Sequence, residues 1–173
     1  MSTTLAAYTI LHVAISLVAI FAGVVVVYGM LSKQEWAGWT KLFLTTTVLT
    51  SLTGFFFPFH GFTPALGTGI ISIVVLATAI YARFARKLAG AWRNVYVISA
   101  AFALYLNVFV LVVQLFLKVP WLKRIAPTQK DPPFVIAQLT VLIVFIILGI
   151  LATGRYRHDA HSASRNDPNA TIT

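Results

Sequence analysis

The chain has 173 residues, of which 59% are hydrophobic and 10% charged, and its mean hydropathy is +0.88; a soluble domain does not carry so little charge, so the solvent for most of this chain is lipid. Its net charge of +9 comes from thirteen Lys and Arg against four acids, but these bases lie in short loops between apolar runs rather than on one soluble face, which argues against nucleic acid as a partner. Cysteine is absent, which removes disulfides, thiolate catalysis and thiolate metal sites together.

A hydrocarbon core of about 30 Å needs roughly 20 helical residues to cross it. Five apolar runs approach that length: Leu5–Leu31, Leu42–Phe57, Ala65–Ala82, Val95–Leu117 and Phe134–Thr153. The expected fold class is therefore all-α, an integral membrane bundle of five transmembrane helices. Residues 1–157 form that domain, and residues 158–173 are expected to be a polar, disordered tail.

The first run is too long for a signal peptide and has no charged residue before it, so it reads as a retained helix. His12, Ser16, Ala19 and Gly23 share one stripe on it. In the second run, "TTTVLTSLTG" gives Thr46, Thr50 and Thr53 a common face. Because the second and third runs are short, residues 42–82 form either two full spans or a re-entrant hairpin. The junction "LTGFFFPFHGFTP" stops the helix near Phe57, because Pro58 disfavours helical geometry there, and Pro64 suits the first turn of the next. A charge-free turn with three successive phenylalanines belongs within the membrane interface rather than in water. Gly67 and Gly69, just beyond it, read as packing positions.

The fourth run carries Ala100, Ala103, Asn107 and Gln114 along one stripe. It ends in "KVPWLKRIAPTQKDPPF", an outer basic loop in which Lys118, Lys123 and Arg124 can face lipid phosphates while Val119, Trp121, Leu122 and Ile125 lie along the headgroups. The fifth run has Gln138 near its outer end, with Phe145 and Gly149 on roughly the same side.

Five crossings put Lys33, Lys41, Arg83, Arg86, Lys87, Arg93, Arg155, Arg157 and Arg165 on one side and Lys118, Lys123, Arg124 and Lys130 on the other. The positive-inside rule then places the N-terminus outside and the C-terminus in the cytoplasm. A hairpin over 42–82 would leave this distribution unchanged.

No Asp, Glu, Lys or Arg lies in the middle of a run, which argues against proton pumps, voltage sensors and carboxylate-gated transporters. The neutral stripe residues Thr46, Thr50, Thr53, Asn107, Gln114 and Gln138 either bond helices together or line a narrow polar pathway. No Ser/His/Asp arrangement, paired carboxylates, phosphate loop or zincin helix can be assembled, so no catalytic residue is assigned and the chain reads as non-enzymatic. His12 and His60 both lie toward the outer leaflet. Two neutral imidazoles can ligate a haem iron or a transition metal, although these two differ in depth by up to about 10 Å at 1.5 Å per residue unless the turn dips inward.

The stretch Asn107–Gln138, with "NVFVLVVQLFLKVP" and "APTQKDPPF", and the earlier "LTGFFFPFHGFTP" together resemble a group of small multi-pass bacterial inner-membrane proteins to which no chemistry is assigned. The likeness runs from Thr45 to Ala152. It implies a bacterial inner (cytoplasmic) membrane and one compact bundle, and it brings no catalytic motif. Two functions from different classes are expected. The first is a non-enzymatic membrane protein in contact with the lipid bilayer, working as a homo-oligomer with a small-solute or ion pathway or as a packing or accessory subunit of a membrane complex. A dimer is the default assembly, and its pathway version requires Asn107, Gln114, Gln138 and Thr50 to face one water-filled space. The second is a haem- or metal-binding redox subunit using His12 and His60.

Overall fold

The computed structural model describes residues 3–57 and 64–165, with side chains described in 3–57 and 66–155. The helices are α1 (Thr3–Leu31), α2 (Ala37–Gly54), α3 (Pro64–Ile80) continued by a π-helical turn (Tyr81–Ala85), α4 (Trp92–Lys118), the short α5 (Pro120–Ile125) and α6 (Pro132–Arg165). Each of the five apolar runs is thus a helix, and no strand occurs among the described residues. The third helix begins at Pro64, where the ring's fixed φ and missing N–H cost nothing. α6 continues past residue 157, the boundary expected for the tail, as far as Arg165; residues 166–173 lie outside the described residues.

Among the described residues four segments are long and apolar enough to cross a membrane: Thr3–Leu31, Leu66–Ala85, Trp92–Lys118 and Pro132–Arg155. α2 is not among them. Its 18 residues span about 27 Å at 1.5 Å per residue, so what it lacks is apolarity, with Lys41, Ser51 and repeated threonines in its sequence.

Side-chain contacts fix the directions of the helices. At one end, Tyr8 of α1 meets Thr53 of α2. At the other, the α1–α2 connection turns tightly on a hydrogen bond from Gln34 N–H to Gly29 O of 2.9 Å, with Lys33 left-handed at φ 61°. A Cβ on Gly29 would stand 2.7 Å from the Gln34 carbonyl oxygen, so only glycine fits there. α3 returns to this second end, where Arg83 pairs with Glu35. α6 returns there too, and Arg155 Nη1 donates to the Leu31 carbonyl at 2.8 Å, satisfying one of the open carbonyls at the C-terminus of α1. Between Tyr8 and Leu31, α1 covers about 35 Å at 1.5 Å per residue, and α2 runs back along most of it.

The core lies where α1, α2, α3 and α4 meet and is built around Val26, Phe43, Leu76, Tyr96, Val97 and Leu104. Ala19, Ala22, Ala79, Ala82, Ala100 and Ala103 are all 0% exposed. Small residues at these contacts let backbones approach closely, which is how helices associate in lipid, where tails compete equally for apolar surface. α6 sits at the edge of the bundle against α4, and much of its surface is outward, including Ile136, Ile143 and Ile150. A second, smaller cluster of Phe116, Ala126 and Phe134 lies beneath α5, with the two phenylalanine rings edge to face at 5.4 Å.

Candidate functional site

At the Tyr8 end, the Tyr8 hydroxyl donates to the Thr53 carbonyl at 2.6 Å. The Thr53 hydroxyl lies 2.7 Å from the Leu49 carbonyl one turn back, to which it donates. That hydroxyl has one proton to give, so at its 2.8 Å contact with His12 Nδ1 it accepts. We therefore assign the proton of His12 to Nδ1, which leaves the Nε2 lone pair uncommitted. Phe57 closes over this junction, its ring centroid 5.1 Å from those of both Tyr8 and His12. The apolar turn of the sequence thus enters the bundle through Phe57 and through Phe55, which packs against Gly69. His60 lies outside the described residues. Among the described residues no group of three or more His, Asp and Glu gathers into a metal-binding cluster.

The six neutral polar residues expected either to bond helices together or to line one pathway fall into separate places. Thr46 donates to Leu42 O at 2.7 Å and so spends its hydroxyl on its own helix. Thr53 belongs to the junction just described. Thr50 Oγ1 is buried without a partner among the described residues. Asn107 Nδ2 donates to Thr47 Oγ1 at 3.4 Å, a long contact between α4 and α2. Gln138 Nε2 donates to the Phe109 carbonyl at 3.1 Å, joining α6 to α4, while its Oε1 is buried without a partner among the described residues. Gln114 is exposed on the outer surface of α4. These side chains mostly bond helix to helix or back to their own backbone, and the structure does not bring them to one space.

The core-facing stripe of α2 is Thr40, Phe43, Leu44, Thr47 and Ser51, not Thr46, Thr50 and Thr53. Thr47 is 0% exposed, and Ser51 meets Ser72 of α3 hydroxyl to hydroxyl at 2.9 Å. In "TTT" adjacent positions differ by about 100° around the helix, and nothing in three identical residues says which one faces inward. On α1, by contrast, the stripe expected from His12 to Gly23 is the packing face: Ala19 and Gly23 are buried.

Lys118 ends α4, and Lys123 and Arg124 occupy α5. All three are exposed beside Trp121, which is 65% exposed, while Leu122 packs inward on the small cluster. Asp131 accepts from the Thr128 N–H at 2.6 Å and from its hydroxyl at 2.9 Å, which ties the loop ahead of α6.

Two further features were not read from the sequence. One is a polar cluster at the basic end. Arg83 Nη2 lies 2.5 Å from Glu35 Oε1, and the guanidinium stands 5.3 Å from the centre of the Tyr96 ring, an arrangement favourable for cation–π attraction. A signal was present: Glu35 is the sole acid before Asp131, and Arg83 continues the buried stripe Ser72, Leu76, Ala79 at helical spacing. The other is an outward groove of about 540 Å³ between α4 and α6, lined by Ala101, Phe102, Tyr105, Phe145, Gly149 and Gly154 among others. A Cβ on Gly149 or Gly154 would meet nothing within 4 Å, so the floor of this groove is open backbone.

No protein-family profile matches the chain, and no curated protein or solved structure matches it either.

Proposed function

We propose that the chain is a non-enzymatic bacterial inner-membrane protein of five crossings that works as a self-associating subunit, docking the α4–α6 face of one copy onto that of another. The observation that carries this reading is the α4–α6 groove. Glycines without neighbours next to partly exposed aromatic rings give a second helix both close backbone approach and shape to pack against, and that packing is what drives association in lipid. A C2 pairing would bring the same groove to itself from both sides.

The fifth crossing is α2, which runs antiparallel along α1 from the Glu35 end to the Tyr8 end; its threonines are sheltered by α1, α3 and their own carbonyls. The surplus of bases around Lys33, Arg83, Arg86, Lys87, Arg93 and Arg155 supports a cytoplasmic Glu35 end and an outside N-terminus. Since the polar side chains within one copy are largely spent on helix contacts, any solute or ion pathway would run between copies. The test is the mass of the protein in nanodiscs of native lipid. A dimer that Gly149→Leu converts to a monomer is expected, and a monomer for the unsubstituted chain removes the reading.

A second reading, a redox subunit carrying haem or a transition metal, is favoured by the His12 tautomer. A ligating histidine commonly gives its other N–H to an oxygen, which fixes the ring and raises its basicity, and the Thr53 hydroxyl takes that proton here. His60 would supply the opposing ligand. The gently solubilised protein would then show a Soret band or stoichiometric metal, lost in His12→Ala. A colourless, metal-free preparation from haem-replete cells excludes it.

A further inference from the structure

The connection from α4 to α6 carries four bases, Lys118, Lys123, Arg124 and Lys130, and one acid, Asp131. The acid is committed locally, since its Oδ2 accepts from both the N–H and the hydroxyl of Thr128. Lys118, Lys123 and Arg124 are exposed, and among the described residues none of the three forms an ion pair. Their charge is therefore uncompensated within one copy of the chain.

Val119, extended at ψ 116°, and Pro120 turn the chain off the axis of α4 and into α5. The side chains of α5 then sort by face. At about 100° per residue, Trp121, Ile125 and Leu122 share one apolar arc, and Lys123 and Arg124 take the remaining one. Leu122 rests on the cluster of Phe116, Ala126 and Phe134, whereas Trp121 and Ile125 are 65% and 43% exposed. The bases thus point away from the bundle, beside an apolar edge that nothing in one copy covers. α5 also joins the ends of two segments long and apolar enough to span a membrane, Trp92–Lys118 and Pro132–Arg155, which puts it where hydrocarbon gives way to headgroups. On the proposed threading this is the outer end, where the positive-inside trend leaves bases scarce.

We propose that α5 and Lys118 form a docking surface for the headgroup of an anionic phospholipid, with Lys118, Lys123 and Arg124 toward its phosphate and Trp121 and Ile125 against the top of its acyl chains. Charge selects the lipid class: a zwitterionic headgroup brings its own cation and gains little from three uncompensated bases, while an anionic one gains from each. The apolar edge selects lipid over a soluble anion, which would leave Trp121 and Ile125 in water. The platform is fixed on its inner side, where Phe116 and Phe134 meet edge to face at 5.4 Å and Asp131 ties the loop ahead of α6. This surface shares no residue with the α4–α6 groove, and it does not rest on self-association.

The test uses the absence of native cysteine. The full chain with Ile125→Cys, labelled with bimane, is reconstituted into phosphatidylcholine vesicles containing phosphatidylglycerol or phosphatidylcholine with a nitroxide near the top of one acyl chain. Each base near the surface multiplies the preference for an anionic lipid by about fivefold, so labelled phosphatidylglycerol at about one lipid in ten should quench the bimane at least about twice as strongly as labelled phosphatidylcholine at the same fraction. That difference should vanish in Lys118→Gln/Lys123→Gln/Arg124→Gln and shrink at molar salt, where exposed charges are screened. Equal quenching by the two lipids overturns the proposal, as does a preference that survives neutralisation of the three bases. Quenching by neither overturns it too, and would mark α5 as the seat of a protein partner. Should the neutralised variant fail to fold, the salt series on the labelled chain decides, and a preference unmoved by salt overturns the proposal.

Discussion

Arg83, at the end of the third helix, and Glu35, in the first connection, form an ion pair with 2.5 Å between Nη2 and Oε1, the arginine side chain 12% exposed and the glutamate 49%. The asymmetry of burial sets what the pair is worth. Glu35 gives up little hydration, while Arg83 is largely withdrawn from water and has the carboxylate as its counter-charge. Fully exposed pairs contribute about 0–1 kcal/mol, and stripping one partner from a fully buried pair costs about 3–5 kcal/mol. Glu35→Gln should fall between, at about 1–2 kcal/mol on the scale those limits set, read as a lowered thermal midpoint in detergent. An unchanged midpoint would mean that solvent already screens Arg83.

Gly23 and Gly149 are predicted to respond oppositely to the same change. A Cβ on Gly23 would lie 2.6 Å from Leu104 Cδ1 and 2.8 Å from Phe43 Cε2, and Phe43 is 0% exposed, so it cannot swing aside. Gly23→Ala should cost about 1–3 kcal/mol as overpacking. Gly149 meets nothing within 4 Å, so Gly149→Ala should be neutral or raise the stability of one copy by up to about 1 kcal/mol through helix propensity. Thermal unfolding of the two variants side by side checks both signs. Equal effects would contradict the assignment of Gly23 to the core and Gly149 to the outer groove.

Among the three consecutive threonines of α2, Thr46 bonds only its own helix, whereas Thr47 accepts from Asn107 across to α4. Thr46→Val should therefore leave stability within about 0.5 kcal/mol. Thr47→Val removes an interhelical acceptor and should cost about 0.6–1.7 kcal/mol, the range of such bonds in membrane proteins. A double-mutant cycle with Asn107→Leu should show coupling for Thr47 and none for Thr46.

These cases also show how much the sequence made legible. Run length and hydropathy located the five long helices, because lipid leaves the backbone few alternatives to a helix, and Pro64 marked the neighbourhood of the third helix's start. The stripe from His12 to Gly23 identified the packing face of α1, since a glycine and an alanine at helical spacing on an otherwise bulky helix mark close approach. The facing of α2 was not legible from "TTT", because identical residues carry no moment. Asn107 and Gln138 were recognised as polar residues in apolar helices, but their partners, Thr47 and the Phe109 carbonyl, are set by helix rotation, which no local pattern encodes. The Arg83–Glu35 cluster was missed because Arg83 counts as one more loop base until α3 is seen to carry it onto the core stripe. The α4–α6 groove belongs to tertiary structure altogether: the sequence puts Gly149 on the side of Gln138 and Phe145, but only the placement of α6 at the edge of the bundle leaves it open.

The central claim, self-association through the α4–α6 face, is tested most directly by cysteine cross-linking in native membranes. The chain has no cysteine of its own, so a single introduced thiol reports one surface without background. Ile150, on α6 at the groove and 66% exposed, and Val74, on α3 and 62% exposed, are equally accessible but lie on different helices. Oxidation of Ile150→Cys should give a disulfide-linked dimer that Val74→Cys does not. Monomer from both, or dimer from both alike, would contradict the account.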